Sequence, residues 1–434
     1  MLICIMNYRK AIEFLYSQLP AYHRIGKAAY KDNLDNTLVL DEYFGHPHTR
    51  YRTIHIAGTN GKGSVSHMIA SVLQEAGYRT GLYTSPHFRD FRERIRINGK
   101  MIPKMEVTDF IRKHHGIIKS VNPSFFEMTV AMAFDYFARA NTDVAVIETG
   151  LGGRLDSTNI ITPVISVITN IGHDHLDLLG DTLEKVATEK AGIIKKNVPV
   201  IIGETQEGIK EVFISHAGSK GSDIYFADEN FRCILDKAIN IKGERRYKIN
   251  DLSGSRRISG IIPMGGDYQS GNLQTLFQVF KILKCSFSFS ERNLINGVRK
   301  TVRNTGLKGR WQILNQKPLT VCDTGHNKEG LEYVLRQING LPKKTLHMVI
   351  GFVSDKDLSS ILPLFPSDAK YYFTRASVPR ALHEGILKSQ ASGFGLAGNS
   401  YPDVNNALKA ARDAADESDM IFIGGSTFIV AEVI

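Results

Sequence analysis

The chain has 434 residues, 42% of them hydrophobic and 23% charged, and a formal net charge of +10. This composition excludes a largely disordered chain, and no apolar run approaches the roughly 18 residues of a membrane span. The four cysteines lie far apart, which excludes CxxC metal knuckles and a disulfide framework and indicates a reducing cytoplasm. The first residues form too short an apolar stretch for a signal peptide. The basic excess predicts an anionic partner, either nucleic acid or a smaller anion such as a nucleotide or polycarboxylate.

Strand and helix patterns alternate along most of the chain, which predicts an α/β fold with mostly parallel sheets. Residues 51–57 predict a strand, 64–76 a helix and 182–195 another helix, whereas polar–apolar alternation at 221–263 predicts a small antiparallel patch. The alternating rhythm resumes further on. We therefore predict a domain over 1–298, a linker over 299–308 and a smaller α/β domain over 309–434.

A glycine-rich loop between a predicted strand and a predicted helix is the strongest single motif. It reads Gly58-Thr59-Asn60-Gly61-Lys62-Gly63-Ser64. Its glycines allow backbone N–H groups to turn towards phosphate oxygens, and the following helix N-terminus favours negative charge. Lys62 can reach the β/γ-phosphates and the Ser64 hydroxyl can bind Mg²⁺. The spacing departs from GxxxxGK[ST], because Gly63 separates the lysine from the serine.

Acidic and imidazole groups follow the later strands. Glu148 follows a buried strand pattern at 143–147 and precedes a glycine-rich segment, a position where open α/β sheets bind ligands and where a carboxylate can hold Mg²⁺. His173 and His175 flank Asp174 after the next strand, which leaves a zinc site and a structural role both open. Lys190 lies among charged residues of a predicted helix, so the sequence pattern alone favours a solvated helix face.

Several motifs in a fixed order then identify a family. They are Ile56–Ser64, Ser85-Pro86-His87-Phe88, Glu93-Arg94-Ile95, Phe126-Glu127, Glu148–Asn159, Asp174-His175 and Glu189–Ile193. Together they resemble the folylpolyglutamate synthase/dihydrofolate synthase branch of the Mur ligase superfamily, over essentially the whole chain. The resemblance implies a P-loop central domain with a mostly parallel sheet and a small antiparallel patch, followed by a smaller Rossmann-like glutamate-ligase domain.

The same resemblance implies an ATP-dependent amide ligase that activates a carboxylate as an acyl phosphate and adds L-glutamate to it. It assigns one Mg²⁺ to Ser64 and Glu148, and a second Mg²⁺ to His175 and a carbamylated Lys190. Lys62, Lys190 and His326 are its catalytic candidates. The implied ATP-binding residues are Thr59, Asn60, Gly61, Lys62, Gly63, Ser64, Asn272, Arg310 and Asp323.

The smaller domain matches the family pattern less closely. Lys308 stands where a proline is common before Arg310, and Gly325 and Lys328 replace an alanine and a proline around His326. The side chains that carry chemistry are retained, and Arg310 and Asp323 are expected to close on ATP between the domains. Ser426 is expected near the incoming glutamate.

For the pterin substrate, the resemblance implies a further set of residues: Ser85, Phe125, Phe126, Glu127, Arg154, Leu155 and Asp156. The two phenylalanines can stack on a flat pteridine, but core aromatics at a helix start explain them equally well. Dihydropteroate and tetrahydrofolate are both candidate acceptors, and the bifunctional enzyme is preferred over a folylpolyglutamate synthase alone.

Three other classes of protein fit the sequence less well. Only 57 residues precede Gly58, too few for the UDP-binding domain of a cell-wall Mur ligase. The positive residues are dispersed without aromatic interleaving, which argues against a nucleic-acid-binding ATPase. A non-catalytic nucleotide-binding regulator would leave the full acid, imidazole and lysine set unexplained. We therefore expect small-molecule substrates, no nucleic acid or membrane partner and, from the resemblance, a monomer in the cytoplasm.

Overall fold

A computed structural model of the chain describes residues 6–19 and 33–434. The chain divides into two compact units, the first made of Met1–Ile234, Tyr247–Gly260 and Ser270–Gly306, and the second of Leu235–Arg246, Ile261–Gln269 and Leu307–Ile434. Within the described residues, no helix has the length and apolar character needed to cross a membrane. The boundaries 1–298, 299–308 and 309–434 stay predictions.

An eight-stranded sheet organises the first unit. Its strands are β1 (Arg52–Ala57), β2 (Thr80–Tyr83), β3 (Ile95–Ile97), β4 (Lys100–Met101), β5 (Val144–Glu148), β6 (Ile165–Ile168), β7 (Val200–Ile202) and β8 (Ile224–Phe226). They lie in the order β4-β3-β2-β5-β1-β6-β7-β8. Only β3 runs antiparallel to its neighbours, β2 and β4. The central strands are almost entirely buried, because helices cover both faces of a parallel sheet.

The register of the central strands decides where the loops leave the sheet. Ile56 of β1 pairs with Glu148 of β5 and with Val167 of β6. The strands are parallel, so the chain segments that follow all three emerge at one edge. That edge is where open α/β sheets bind their ligands.

Two further sheets follow along the chain. A three-stranded sheet has the order β11-β10-β9, and its strands are β9 (Phe231–Leu235), β10 (Arg245–Asp251) and β11 (Arg257–Ile262). A six-stranded sheet in the second unit has the order β12-β13-β17-β14-β15-β16. Its strands are β12 (Gln312–Gln316), β13 (Leu319–Cys322), β14 (Leu346–Ile350), β15 (Lys370–Phe373), β16 (Gly398–Ser400) and β17 (Met420–Gly424). All of these pair in parallel except β12 with β13.

Helices fill the connections between strands. The α-helices are Tyr8–Gln18, Asp35–Tyr43, Lys62–Glu75, Lys104–Lys113, His115–Val121, Phe125–Arg139, Leu176–Leu179, Leu183–Ala191, Lys210–Ser219, Ala227–Asn230, Gln269–Leu283, Glu291–Arg299, Thr301–Thr305, Lys328–Asn339, Glu384–Ser392, Val404–Asp413 and Thr427–Ala431. Short 3-10 helices are Pro47–Arg50, Phe91–Arg94, Ser157–Ile160 and Leu362–Leu364. Alternating parallel strands and helices with a second, smaller α/β unit confirm the predicted fold class.

Two predicted elements differ from the structure. The helix expected over 182–195 ends at Ala191, because Gly192 has low helix propensity and packs so closely on Arg154 that a Cβ would lie 2.4 Å from its Cβ. The antiparallel patch expected over 221–263 begins only at Phe231. Residues Ile224–Phe226 instead extend the large sheet, since β8 pairs in parallel with β7.

Candidate active site

Two lysines converge on the glycine-rich loop after β1. Lys62, the first residue of the helix Lys62–Glu75, donates from Nζ to the carbonyl oxygens of Gly58 at 2.8 Å and Thr59 at 3.1 Å. Lys190 Nζ donates to the same Gly58 oxygen at 3.0 Å, and the Lys190 side chain is buried. Burial and, after it, the positive charge of Lys62 lower the pKa of Lys190 to about 7. The charge pattern alone predicted that Lys190 lies on a solvated helix face, and this prediction is therefore wrong.

The segment after β6 forms hydrogen bonds with the first half of the glycine-rich loop. The Thr59 amide donates to the Asn170 carbonyl at 2.8 Å, and the Asn60 amide donates to Asn170 Oδ1 at 2.8 Å. Thr169 Oγ1 donates to the Asn60 carbonyl at 2.5 Å. Because these two amides are already bonded, the phosphate cradle of this structure is limited to the N–H groups from Gly61 onwards. Asn170 was not a candidate from sequence, and an asparagine directly after a strand was its only signal.

Two positions of the glycine-rich loop require glycine, because neighbouring side chains approach them closely. A Cβ at Gly61, whose φ is 88°, would lie 2.3 Å from Asn272 Oδ1, and one at Gly58 would lie 1.9 Å from Thr169 Oγ1. Asn272 therefore lies against the loop. Gly63 and Ser64 form the first turn of the helix, and Ser64 is buried.

Glu148 is the last residue of β5, inside the strand rather than after it, and is buried. Its Oε2 accepts the Ser85 amide at 3.2 Å, so the segment after β2 lies beside the carboxylate. The adjacent Thr149 Oγ1 is buried and has no hydrogen-bond partner within the described ranges. Because Glu148 pairs with Ile56 of β1, its carboxylate lies at the sheet edge from which the phosphate loop also leaves.

The part of the chain that the structure describes contains no cluster of three His, Cys, Asp or Glu residues able to hold a metal by themselves. Magnesium usually takes one or two carboxylates and completes its shell with water and substrate phosphates. Glu148 and Ser64 supply oxygen donors of that kind.

His175 lies in the segment after β6, with a φ of 54°. Its Nε2 is 3.8 Å from Asp174 Oδ1, and its carbonyl accepts the amides of Leu178 and Leu179 at the short helix that follows. The left-handed backbone turns the chain sharply at this point. Asp174 also acts on Lys190, since its negative charge opposes the lowering of the lysine pKa.

The glycine-rich segment after Glu148 forms a tight loop around Asp156. This buried carboxylate accepts the amides of Gly150 at 2.8 Å and Leu151 at 2.9 Å through Oδ2. Burial raises the pKa of Asp156, and the hydrogen bonds that it accepts oppose that increase. Arg154 is exposed and pairs with Glu189 at 2.8 Å, and Leu155 is half-buried. In this structure Asp156 and Arg154 organise the loop, so their predicted contact with substrate rests on the resemblance.

The two phenylalanines at the start of helix Phe125–Arg139 have different surroundings. Phe125 is buried and stacks on Tyr16 at a centroid distance of 5.4 Å, which matches the core alternative. Phe126 is half-buried and lies against the loop, since a Cβ on Gly150 would be 2.4 Å from its Cζ. Glu127 closes a capping box with Ser124, whose amide it accepts at 2.5 Å. Of the three, Phe126 is the residue that is half-buried against the glycine-rich loop.

In the second unit, Asp323 follows β13 and is buried. Its Oδ2 accepts the Tyr268 hydroxyl at 2.5 Å and the Trp311 amide at 2.7 Å, and its Oδ1 accepts the Gly325 amide at 2.8 Å. Burial raises the pKa of Asp323, whereas the Tyr268 hydrogen bond and the charge of Arg310 oppose this. Trp311 has a φ of 47°, so Asp323 holds the strained turn that presents Arg310.

The other two candidates of the second unit lie on neighbouring strand ends, since β13 and β17 are paired. His326 Nδ1 is 3.0 Å from the Thr324 carbonyl, and only a protonated Nδ1 can donate there. Ser426 is buried and accepts the Phe428 amide at 3.0 Å, which makes it the N-cap of helix Thr427–Ala431. A capping role thus accounts for Ser426 in this structure.

Comparisons with known proteins agree with this arrangement. The Mur ligase middle domain matches residues 56–273, and the Mur ligase glutamate ligase domain matches residues 309–427. A folylpolyglutamate synthase of Lacticaseibacillus casei is 30% identical, covering 97% of this chain and 100% of its own length. A dihydrofolate synthase/folylpolyglutamate synthase of Escherichia coli is 30% identical over 87% of this chain and 85% of its own.

A solved structure of E. coli FolC in complex with DHPP and ADP superposes with a TM-score of 0.85 and 26% identity, covering 99% of this chain and 97% of that one. The chain spans about half the length of a Haloferax volcanii relative, a probable bifunctional folylpolyglutamate synthase/dihydropteroate synthase, which is 29% identical over 98% of this chain and 50% of its own. The chain therefore belongs to the Mur ligase family, in the branch of the dihydrofolate synthases and folylpolyglutamate synthases.

Proposed function

We propose that the chain is an ATP-dependent carboxylate–amine ligase that joins L-glutamate to dihydropteroate and to the γ-carboxylate of tetrahydrofolate. The observation that carries the proposal is the convergence of Lys62 and Lys190 on the Gly58 carbonyl, inside a phosphate loop at the edge that also holds Glu148. The names of the L. casei and E. coli relatives support the folate substrates.

The reaction follows from the groups present. An acceptor carboxylate oxygen attacks the γ-phosphorus of ATP and ADP leaves, which gives an acyl phosphate. The amino nitrogen of L-glutamate then attacks the acyl carbon, and phosphate leaves with its oxygen as the amide forms and a proton is released. Lys62 holds the β/γ-phosphate oxygens, and the amides from Gly61 to Ser64 hold the phosphates through the helix N-terminus.

Divalent metal is part of the proposal. Ser64 and Glu148 would hold one Mg²⁺, and His175 with a carbamylated Lys190 would hold a second. Mg²⁺ supplies charge neutralisation at the transferring phosphoryl group. Carbamylation needs a neutral amine, and the lowered pKa of Lys190, about 7, supports one. It also replaces a cation beside Lys62 by an anion, which removes the repulsion between two ammonium groups.

For the acceptor, the half-buried Phe126 beside Gly150 and the Ser85 segment beside Glu148 are the best supported contacts. Arg154, Leu155 and Asp156 would line the same acceptor site. Asn272 would contact ATP. In the second unit, Arg310 and Asp323 would also bind ATP, His326 would act in catalysis and Ser426 would lie near L-glutamate. We also propose a monomer in the cytoplasm that acts on small anions only.

A phosphate-release assay tests the function. The protein is supplied with ATP, Mg²⁺ and L-glutamate, and with either dihydropteroate or tetrahydrofolate. Release that requires both L-glutamate and an acceptor, with the product mass raised by one glutamyl residue, supports the ligase. No release with either acceptor would overturn it.

A narrower function is favoured by one observation, since the L. casei relative is named a folylpolyglutamate synthase alone. Activity with tetrahydrofolate but none with dihydropteroate would establish that narrower enzyme. A related Mur-type amino-acid ligase is the remaining alternative, and replacement of L-glutamate by other amino acids in the same assay tests it.

A further inference from the structure

A buried chain of hydrogen bonds runs from the middle of β1 to the loop after Glu148. His55 Nε2 is 2.8 Å from Thr158 Oγ1, and Thr158 Oγ1 donates to Asp156 Oδ1 at 2.5 Å. His55 and Thr158 are fully buried, and Asp156 nearly so. Of the predicted site residues, only Asp156 takes part in these hydrogen bonds.

The donors and acceptors have only one consistent arrangement. Asp156 accepts four hydrogen bonds, from the hydroxyl and amide of Thr158 and from the amides of Gly150 and Leu151. Because the Thr158 hydroxyl spends its proton on the carboxylate, it must accept from His55. The imidazole therefore carries its proton on Nε2, and its Nδ1 is buried with no partner within the described ranges.

Burial, and after it the positive charge of Lys195, lowers the pKa of His55 to about 3, so the ring is neutral at neutral pH. A neutral buried ring without access to solvent is suited to holding another group in place. It is not suited to acid–base chemistry.

The loop that Asp156 organises touches three elements that carry candidate site residues. Gly150 directly follows Glu148-Thr149 and lies against Phe126. Gly153 packs on the helix of Lys190, since a Cβ there would lie 2.7 Å from the Glu189 carbonyl oxygen and 3.0 Å from Lys190 Cα. The Arg154 amide donates to the Glu189 carbonyl at 2.8 Å.

We propose that His55 and Thr158 are positioning residues of the ligase site, which hold Asp156 so that the Gly150–Asp156 loop fixes Glu148 relative to the helix of Lys190. The proposal rests on the proposed function for its catalytic consequence. β1 carries both His55 and, at its end, the phosphate loop. The hydrogen bonds therefore tie the phosphate loop, the carboxylate and the second lysine into one frame.

The test compares Thr158→Val with Thr158→Ser in the full chain. Valine keeps the shape of threonine but removes the hydroxyl, whereas serine keeps the hydroxyl. For Thr158→Val we expect kcat for glutamate addition to fall about 10- to 100-fold, the range seen when partners of ligand groups are lost, with the KM for ATP within about threefold. Thr158→Ser should retain kcat within about threefold of the original chain.

Amide hydrogen exchange gives a second readout that does not depend on activity. In Thr158→Val the Gly150 and Leu151 amides should exchange about tenfold faster or more, because their shared acceptor is less firmly held. The Thr59 amide, bonded to Asn170, should be unchanged. Equal losses in both variants, kcat of Thr158→Val within about threefold of the original, or unchanged exchange at Gly150 and Leu151 would each overturn the proposal.

Two provisions keep the test decisive. If Thr158→Val does not fold, the pair His55→Leu and His55→Gln replaces it, since only glutamine keeps a donor towards Thr158, and the same two readouts apply. If the unaltered chain shows no glutamate-dependent phosphate release, the proposed function fails. The exchange comparison then decides the positioning role by itself.

Discussion

Lys62 and Lys190 donate to a single acceptor, the Gly58 carbonyl oxygen, over 2.8 Å and 3.0 Å. Two ammonium groups at one oxygen repel each other, and burial makes the charge of Lys190 costlier still. The fold thus favours either a neutral Lys190 or its conversion into an anion. This explains physically why a lysine can belong to a cation-binding site.

Replacement of Lys190 by alanine should abolish most turnover, with a loss of about a hundredfold or more, because a metal-holding group disappears. Steady-state phosphate release measures it. Short carboxylates such as acetate or propionate should restore part of the rate if the carbamate is what matters.

The matched control is Lys185→Ala on the same helix. Lys185 is exposed and its Nζ pairs with Asp181 at the surface, so its loss should leave turnover within about twofold. Unchanged turnover in Lys190→Ala would refute the metal-site role.

Carbamylation of Lys190 should depend on pH in a defined direction. The amine reacts with carbon dioxide only when neutral, and its pKa is about 7. Raising the pH from about 6 to about 8 therefore increases the neutral fraction and should increase the carbamate signal in ¹³C NMR with labelled bicarbonate. A signal that falls with pH, or one that persists in Lys190→Ala, would contradict the assignment.

Gly61→Ala should weaken ATP binding. The new Cβ would lie 2.3 Å from Asn272 Oδ1 in a left-handed turn with φ of 88°. We expect the KM for ATP to rise about tenfold or more, since either the loop or the Asn272 side chain must shift and both belong to the proposed ATP site.

Gly77→Ala separates the two causes of that effect. Its φ is 92°, but nothing lies within 4 Å of the new Cβ, so only the backbone cost of about 1–2 kcal/mol is added. Thermal unfolding should report the backbone cost in both variants, with the larger loss in Gly61→Ala and with ATP kinetics changed only in Gly61→Ala. A similar rise in the KM for ATP in both would show that close approach to Asn272 is not the cause.

Asp323→Asn should destabilise the second unit and impair ATP use. The amide cannot accept from Trp311 and Gly325 on both of its sides, so one buried amide loses its partner at about 1–3 kcal/mol. Urea unfolding measures the loss, and the KM for ATP should rise because the turn that holds Arg310 relaxes.

Tyr268→Phe is the companion variant, since it removes one donor and leaves the carboxylate in place. It should cost about 0.5–1.5 kcal/mol and leave the KM for ATP within about twofold. If both variants shifted the KM equally, Asp323 would act only through stability.

Much of the site was predictable because short motifs encode local conformation. The loop Gly58–Ser64 follows a strand and opens a helix as its glycines and lysine indicate. Glu148 was recognisable at a strand end, where parallel strands gather functional groups. Family motifs supplied Lys190, which the charge pattern alone had assigned to a solvated face.

Other assignments needed the tertiary structure. Phe125 and Phe126 are adjacent in sequence, and only packing puts one ring in the core against Tyr16 and the other beside Gly150. Asn170 and His55 lie outside the family motifs, and the motif Glu148–Asn159 assigned no role to Thr158. Their roles arise from hydrogen bonds to residues more than 100 positions away for Asn170 and His55.

The composition of the chain, with a net charge of +10, indicated an anionic partner. The order of motifs along the sequence indicated the α/β fold and the family. Those properties are local or periodic, so they can be read along the chain. The tertiary structure alone decided that Lys62 and Lys190 share one oxygen and that Asp156 is enclosed by its own loop. Burial and the register of parallel strands produce both relationships, and neither is encoded by the spacing of residues in sequence.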